Sequence, residues 1–499
     1  MKIEEKNFRN AGFVCSVLLG TVAFASISFA QEAPPAPAAP RSVTIPKPIE
    51  KTLKNGLRVI VVESSNMPLV TSVLMVKSGG EIDPDKLAGI ADMTGDLLTK
   101  GTKTRTAPEI AEAIEALGGE LNAGASWDSS LVTVSVMSSK INAAMEILAD
   151  VARNPTFKED EIERLREQNL DNLRVALRQP GTLAGFVAAR VVFGDKAYGH
   201  PLSGTPESIA AIKRDDIMSL HDKYYRPDNA VLVFTGDIKA EAAFKLAEKL
   251  FGDWTRPNSA LPVMAQDDTE NSMNTKPRVV VIDMPEAGQA AVVVARRGIK
   301  RADPEYFRGI VSNSVLGGGY SARLNQEIRI KRGLSYGANS SLSARRAVGV
   351  FSASTQTKNE SGAEVASLIM SELRRLASEP IADSELTPRK AVLTGNFGRN
   401  LETTGGLATQ VANLALYGLG LDEINNYIKN VQAVSAADVQ KFAATRIDAK
   451  GANVIVVGNA KVFLADLQKQ FANVDVISVG ELDLNSATLR KTLAIKTPK

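Results

Sequence analysis

The stretch Leu316-Gly-Gly-Gly-Tyr-Ser-Ala-Arg-Leu-Asn-Gln-Glu-Ile-Arg-Ile-Lys-Arg-Gly-Leu-Ser-Tyr336 is the most informative part of the sequence. Its pattern predicts a helix over 320–331, a stop at Gly333 and the start of a strand over 335–342. The glycine run is not a phosphate-binding loop, because no Gly-Lys-Ser/Thr follows it. We expect it to allow close backbone approach.

This pattern places Arg329 on the last turn of the helix and Tyr336 on the strand beside it. Taken alone, the pair is also compatible with a purely structural role. The helix dipole favours an arginine in a last turn, and tyrosine is common in strands.

A second informative stretch is Gly89-Ile-Ala-Asp-Met-Thr-Gly-Asp-Leu-Leu-Thr-Lys-Gly-Thr102. Asp92 and Asp96 lie one helical turn apart, so both could contact one cation. Carboxylates without imidazole suit hard ions rather than zinc, and we expect two solvated acids near the start of a helix. The chain has 2 histidines, His200 and His221, and neither has a companion at ligand spacing. We predict that both are structural.

Together the two stretches resemble the M16 metallopeptidases, and the resemblance covers nearly the whole chain after residue 48. Peptide-cutting members carry H-x-x-E-H on a helix and a distal glutamate, which together bind zinc and activate water. In this alignment the two histidines become Asp92 and Asp96, the glutamate becomes Gly95, and the distal ligand falls near Asn172. The resemblance therefore implies a degenerate zinc motif and no metal bound by this chain.

The other family signature is met in full, because it pairs an arginine with a tyrosine seven residues later, here Arg329 and Tyr336. In the family this pair reaches the substrate at the zinc, where a phenol or a guanidinium can stabilise the developing oxyanion. Some bacterial M16 enzymes are heterodimers in which one subunit carries the zinc motif and the other carries the pair. The resemblance places this chain with the second type, opposite an H-x-x-E-H-bearing partner that supplies the zinc.

Composition excludes several functional classes. A net charge of +3 over 499 residues gives no reason to expect nucleic acid as a partner. The basic N-terminus, the apolar run over 11–29 and the small residues before Gln31 match a signal peptide, so we expect export to the periplasm. An uncleaved membrane anchor is the alternative. Cys15, the single cysteine, lies within this segment, so the mature protein would contain no disulfide.

An α/β pattern follows, and it runs twice at a shift of 222 residues. Ile212, Asp216, Leu232 and Gly236 correspond to Val434, Asp438, Val454 and Gly458. We predict an α+β fold of two tandem related halves, each an antiparallel sheet covered by helices. The resemblance implies the LuxS/MPP-like metallohydrolase fold. The predicted segments are a signal peptide (1–30), a Pro/Ala-rich tether (31–48), a first domain (49–257), a linker (258–277), a second domain (278–480) and a mobile basic tail (481–499).

Three hypotheses about function follow. The first is an exported, metal-free subunit that contributes Arg329 and Tyr336 to a partner's zinc site during hydrolysis of short or unfolded peptides. The second is a non-catalytic binding or assembly protein on the same scaffold, which explains the lost ligands but does not predict an intact pair. The third is a lone hydrolase that uses Asp92 and Asp96, which lack both imidazoles and a general base.

Overall fold

The computed structural model describes residues 44–262 and 276–491. The first half contains strands β1 (Ile49–Thr52), β2 (Arg58–Glu63), β3 (Leu69–Val76), β4 (Glu120–Ala125), β5 (Ser130–Met137) and β6 (Ala230–Gly236). Its helices are α1 (Ile90–Leu97), α2 (Ala107–Ala116), α3 (Ile141–Arg153), α4 (Glu159–Ala176), α5 (Pro180–Phe193), α6 (Pro206–Ala211), α7 (Arg214–Tyr224) and α8 (Ala240–Phe251).

The second half repeats this arrangement. Its strands are β7 (Val279–Asp283), β8 (Ala290–Arg297), β9 (Ala338–Ser343), β10 (Val350–Thr357), β11 (Asn453–Gly458) and β12 (Val474–Ser478). Its helices are α9 (Tyr306–Gly317), α10 (Gly362–Ser378), α11 (Asp383–Leu401), α12 (Thr404–Leu416), α13 (Glu423–Ala433), α14 (Ala436–Arg446) and α15 (Ala460–Gln470). A short π-helix, Asn325–Ile330, lies between α9 and β9.

Each half forms one sheet of six strands, in the orders β1-β2-β6-β3-β5-β4 and β12-β7-β11-β8-β10-β9. The predicted fold class of two related sheet-plus-helix halves is confirmed. The sheets are mixed rather than wholly antiparallel, because β6 runs parallel to β2 and β11 runs parallel to β7. In each half the chain crosses over through several helices before this strand inserts into the sheet centre, and a parallel pair needs such a crossover.

The repeat read from the sequence is confirmed at its marker residues. Asp216 accepts a hydrogen bond from the Lys213 N–H at the start of α7, and Asp438 accepts one from the Ser435 N–H at the start of α14, both at 2.9 Å. A carboxylate at this position satisfies a free N–H of the first helical turn. The following strands, β6 and β11, take the same third place in their sheets.

The two halves exchange one helix each. Helix α5 of the first half packs on the second sheet, where Leu183 and Val187 join a buried cluster with Val293. Helix α12 of the second half packs on the first sheet, where Val411 joins a buried cluster with Ile60. Both faces of each sheet are therefore buried, which explains why strands such as β2 and β6 are almost continuously apolar.

Two arginines of the second half complete the contact between the halves. Arg345 lies over the rings of Trp127 and Tyr198, with its Cζ 4.5 and 4.6 Å from their centroids. Arg346 reaches Glu81 Oε1 at 3.0 Å and donates to the backbone carbonyl of Asp128 at 2.8 Å. A buried carboxylate is costly unless it is paired, so Arg346 compensates for burying Glu81.

Several sequence predictions need correction. Strand β4 was not predicted, and residues 206–224 form two helices, α6 and α7, with a break after Ala211. The tail is not mobile as far as Lys491, because Leu484 and Leu489 are buried and Leu482 bridges to Arg490. These apolar side chains hold the segment against the cluster that contains α5.

Within the described residues, no helix has the length and apolar character needed to cross a bilayer. The predicted signal peptide, the tether as far as residue 43, residues 263–275 of the predicted linker and residues 492–499 of the tail lie outside the described residues.

Candidate functional site

Helix α1 carries the three degenerate motif positions and lies directly against the edge strand β4. A Cβ atom at Gly95 would come within 2.7 Å of the backbone carbon of Gly124 and 2.9 Å of the Ala125 nitrogen. No real Cβ approaches backbone atoms this closely, so only glycine fits at this crossing. The position that aligns with the catalytic glutamate therefore has no room for a side chain.

Asp92 and Asp96 lie on α1 as predicted, but they are not the solvated acids that the sequence suggested. Burial, and then the neighbouring charge of Asp96, raises the pKa of Asp92 to about 7. Burial also raises the pKa of Asp96, and Lys100 partly opposes that shift. The short helix is packed into the core by Met93 and Leu97, and this draws both carboxylates partly out of water.

More buried acids lie at the start of the same helix. The carboxylate of Asp83 accepts hydrogen bonds from the N–H groups of Gly89 (2.7 Å) and Ala91 (3.0 Å), so it caps α1. Burial raises the pKa of Asp83 well above its ordinary value. Burial likewise raises the pKa of Glu81 to about 8, although Arg346 opposes this shift. These acids have structural partners and do not form a ligand set.

The residues present do not fit a zinc ion. Asn172, the position of the distal ligand, is exposed on α4 and offers a neutral amide. Among the described residues, no group of three histidine, cysteine, aspartate or glutamate side chains is arranged to hold a metal. Zinc requires such a set, usually with imidazole or thiolate. No step of a reaction is therefore assigned to a metal bound by this chain.

Both histidines make structural contacts, as predicted. The ring nitrogens of His200 lie 2.9 and 3.1 Å from the carbonyl oxygens of Pro201 and Gly80. His221 stacks on Tyr225 with ring centroids 4.6 Å apart, and its Nε2 lies 3.0 Å from the carbonyl oxygen of Ala152. Burial lowers the pKa of each imidazole.

The segment 318–337, which follows α9, carries the predicted Arg/Tyr pair. Arg329 lies in the π-helix, and its guanidinium sits 4.8 Å from the ring centroid of Tyr320. Tyr336 is 89% exposed. π-Helical turns are rare and often mark functional sites. The pair therefore projects from an irregular connection and not from a regular helix and strand.

The predicted stop at Gly333 is confirmed, but the predicted strand start is wrong. Gly333 has φ +64°, and its N–H donates to the Arg329 carbonyl at 2.9 Å. Strand β9 begins only at Ala338, because two hydroxyls of β10 take the preceding carbonyls. Thr357 donates to Leu334 (2.6 Å) and Thr355 donates to Gly337 (2.7 Å). Tyr336 therefore lies in a tethered loop ahead of the strand.

Asn325 holds this segment together, and sequence reasoning did not single it out. Its side chain is buried, at 4% exposure for the residue. Its amide nitrogen donates to the carbonyl of Tyr320 at 2.8 Å, and its amide oxygen accepts from the N–H of Ala338 at 3.0 Å. The Asn325 side chain thus connects two segments, the turn that contains Tyr320 and the loop that contains Tyr336. The sequence shows only an asparagine within the helix expected over 320–331, because the burial of its side chain is visible in the structure alone.

Two family models match the chain in tandem. The model described as insulinase (peptidase family M16) matches residues 58–194, and the model described as peptidase M16 inactive domain matches residues 211–393. The chain belongs to the M16 peptidase family. Among M16 relatives, an uncharacterized zinc protease of Rickettsia bellii is 29% identical over 81% of this chain and 96% of its own length. One of Bacillus subtilis is 26% identical over 78% and 95%.

Solved structures give the same M16 fold. A peptidase M16 inactive domain from Pseudomonas fluorescens superposes with a TM-score of 0.76 at 24% identity, covering 82% of this chain and 98% of its own. A protease from Helicobacter pylori superposes with a TM-score of 0.76 at 22% identity, covering 83% and 100%. At these identities the likeness establishes the fold alone.

Proposed function

We propose that this chain is the exported, metal-free subunit of a heterodimeric M16-type zinc peptidase. Its role is to supply Arg329 and Tyr336 to the zinc site of an H-x-x-E-H-bearing partner during hydrolysis of short or unfolded peptides. The observation that carries the proposal is the exposure of Tyr336 seven residues after Arg329, whose guanidinium lies on Tyr320, in a chain whose described residues include no group of three metal-ligating side chains.

The pair suits the charge that develops during peptide-bond hydrolysis. The partner's zinc would supply the activated water. The phenol of Tyr336 would donate a hydrogen bond to the carbonyl oxygen as it becomes an oxyanion, and the guanidinium of Arg329 would hold the peptide backbone. Tyr320 keeps the guanidinium in place from one side, because a cation is attracted to the face of an aromatic ring.

The proposal also specifies where the protein acts, the periplasm, and which substrates suit it, extended peptides. The signal-like N-terminus supports secretion to the periplasm, where a partner with its own signal would meet this chain. Extended peptides suit such a site, because hydrogen bonding to a strand edge is tolerant of sequence. Strands β4 and β9 each form one of the two edges of their sheet.

Co-purification with the zinc-bearing partner provides the test. Arg329→Ala and Tyr336→Phe should each lower peptide turnover of the assembled pair by roughly 100- to 1,000-fold, the loss seen when one oxyanion donor is removed. Zinc content and assembly should not change, because neither side chain supports the core. Lys331→Ala, which lies between them on the same segment, is the matched control. Normal turnover in both variants would instead support the non-catalytic assembly role.

A further inference from the structure

A groove of about 530 Å³ opens next to the loop that carries Tyr336. One wall is formed by residues 178–182, the end of the connection between α4 and α5 and the first turn of α5, and the other is the face of the second sheet. Gly337, the residue after Tyr336, is part of the lining. An occupant of the groove would therefore lie next to the loop that carries Tyr336, the residue to which the proposed function assigns a substrate contact.

The charge of the groove is one-sided. Arg178 is the only charged residue in its lining, and neither aspartate nor glutamate contributes to it. Asn339 and Gln356 add side-chain amides that can donate N–H bonds. Such a surface suits an anion that accepts several hydrogen bonds.

Arg178 differs from the other arginines of its helix. Arg164, Arg166 and Arg174 each pair with an acid three residues earlier. The residue three positions before Arg178 is the apolar Val175, and Arg178 lies beyond the last residue of α4. Within the described residues its guanidinium has no ion-pair partner. Its charge is therefore available to a ligand.

The corresponding helix start in the first half is hydrogen-bonded to its sheet. At the start of the exchanged helix α12, the Thr404 hydroxyl lies 2.8 Å from that of Thr71, and the Thr404 carbonyl accepts from Thr235 at 2.7 Å. These bonds fix the helix start on the first sheet. At the start of α5, Gly181 brings only a backbone near the Gln356 side chain, and the groove remains. The groove thus opens in the half that carries Arg329 and Tyr336.

We propose that this groove binds a carboxylate of the peptide substrate, with Arg178 as its principal partner and Gln356 and Asn339 as additional donors. The inference rests on the proposed function for the identity of the ligand as a peptide. A guanidinium fork matches a carboxylate in two parallel hydrogen bonds. The carboxylate can be the C-terminus of the peptide or an acidic side chain within it, and a paired set of probes separates these sources.

The test measures peptide binding by this chain alone, without partner, zinc or turnover. The probes are three short peptides of alanine, serine and leucine, each carrying an N-terminal dansyl group, a fluorophore without a carboxylate. One has a free C-terminal acid, one has a C-terminal amide, and one has a C-terminal amide and an internal glutamate. Fluorescence anisotropy compares their affinities for wild type, Arg178→Ala and the control Arg174→Ala. Arg178 and Arg174 are both exposed, so both variants should fold.

A carboxylate-bearing probe should bind wild type about tenfold more tightly than the neutral amide, as expected for a charge-assisted hydrogen bond. Arg178→Ala should abolish that preference, and Arg174→Ala should retain it. Preference for the free acid assigns the terminal carboxylate, and preference for the glutamate probe assigns a side chain. Equal binding of all three probes, no binding of either acid, or an unchanged preference in Arg178→Ala overturns the proposal. None of these results depends on whether the assembled pair cleaves peptides.

Discussion

The two halves pack a helix against an edge strand in the same way and then diverge. In the first half, Gly95 of α1 lies against the backbone of Gly124 in β4. In the second half, Gly317 at the end of α9 lies against the backbone of Ser340 in β9. The helix of the first half keeps acids at the metal positions, whereas α9 ends at its glycine and leads into the π-helical segment. The two halves therefore share the glycine crossing of helix and edge strand but differ in their functional side chains. The side chains that accompany the glycine, and not the crossing itself, determine what each half can do chemically.

We expect the free energy of unfolding to depend on pH through Glu81 of the first half, whose side chain is 0% exposed. Burial raises the pKa of Glu81 from 4.5 to about 8, so the folded state holds its proton more tightly than the unfolded state. The stabilisation is therefore fully present below about pH 4.5 and is lost as the pH rises to about 8, by on the order of 5 kcal/mol. Urea unfolding across this range should show a steeper loss in wild type than in Glu81→Gln. Parallel curves of unfolding free energy against pH for wild type and Glu81→Gln would show that Glu81 does not cause the pH dependence.

The second largest effect is expected for a variant that disrupts the contact between the two halves. Arg346→Ala leaves the buried carboxylate of Glu81 without its guanidinium partner and should cost about 3 kcal/mol of unfolding free energy, at the lower end for a broken buried pair. Arg58→Ala removes an exposed pair with Glu50 and should cost under about 1 kcal/mol. Equal losses in the two variants, measured by urea unfolding at about pH 9, above the pKa of about 8 of Glu81, would contradict the role given to Arg346.

Restoring the family motif should not restore a metal site. In the triple variant Asp92→His, Gly95→Glu, Asp96→His, the new side chain at position 95 overlaps the backbone of β4. We expect a loss of about 2 kcal/mol from overpacking and no stoichiometric zinc. Gly185→Glu provides the control, because a Cβ at Gly185 has no neighbour within 4 Å. A folded triple variant that retains zinc through gel filtration would show that the two halves differ less than we infer.

The smallest expected effect concerns the second half. Asn325→Ala removes the side chain that joins the Tyr320 turn to the Tyr336 loop and leaves the Ala338 N–H unpaired, at a cost of about 1 to 2 kcal/mol. Asn325→Asp retains the acceptor for Ala338, so it should lose less. In the assembled peptidase, kcat should fall more than KM rises in Asn325→Ala. If Asn325→Ala lowers the yield of folded protein but leaves kcat unchanged, Asn325 has a purely structural role.

Much of the fold was predictable because its signals are local. Strands β2, β3, β5 and β6 appear as apolar runs, and the Thr106 capping box marks the start of α2, where Thr106 and Glu109 bond reciprocally. Strand β4, Glu-Leu-Asn-Ala-Gly-Ala, lacks β-branched residues, so its strand character comes from pairing with β5. Propensity could not reveal it.

The parts of the site that were missed depend on contacts between distant segments. The exchange of α5 and α12 cannot be read from their composition, since an apolar helix does not specify which sheet it covers. The partial burial of Asp92 also depends on tertiary contacts, because α1 packs into the core of the first half. The spacing of Arg329 and Tyr336 was visible in the sequence, whereas their support by Asn325 required the loop geometry.

Zinc content and peptide turnover of the isolated chain test the central claim most directly. The mature protein should be purified alone, assayed for metal by atomic emission and for cleavage of an unfolded peptide, and then assayed again with an H-x-x-E-H-bearing M16 partner. The account predicts no stoichiometric zinc and no turnover alone, and turnover in the mixture above that of the partner by itself. Stoichiometric zinc together with peptide cleavage by the isolated chain would contradict it.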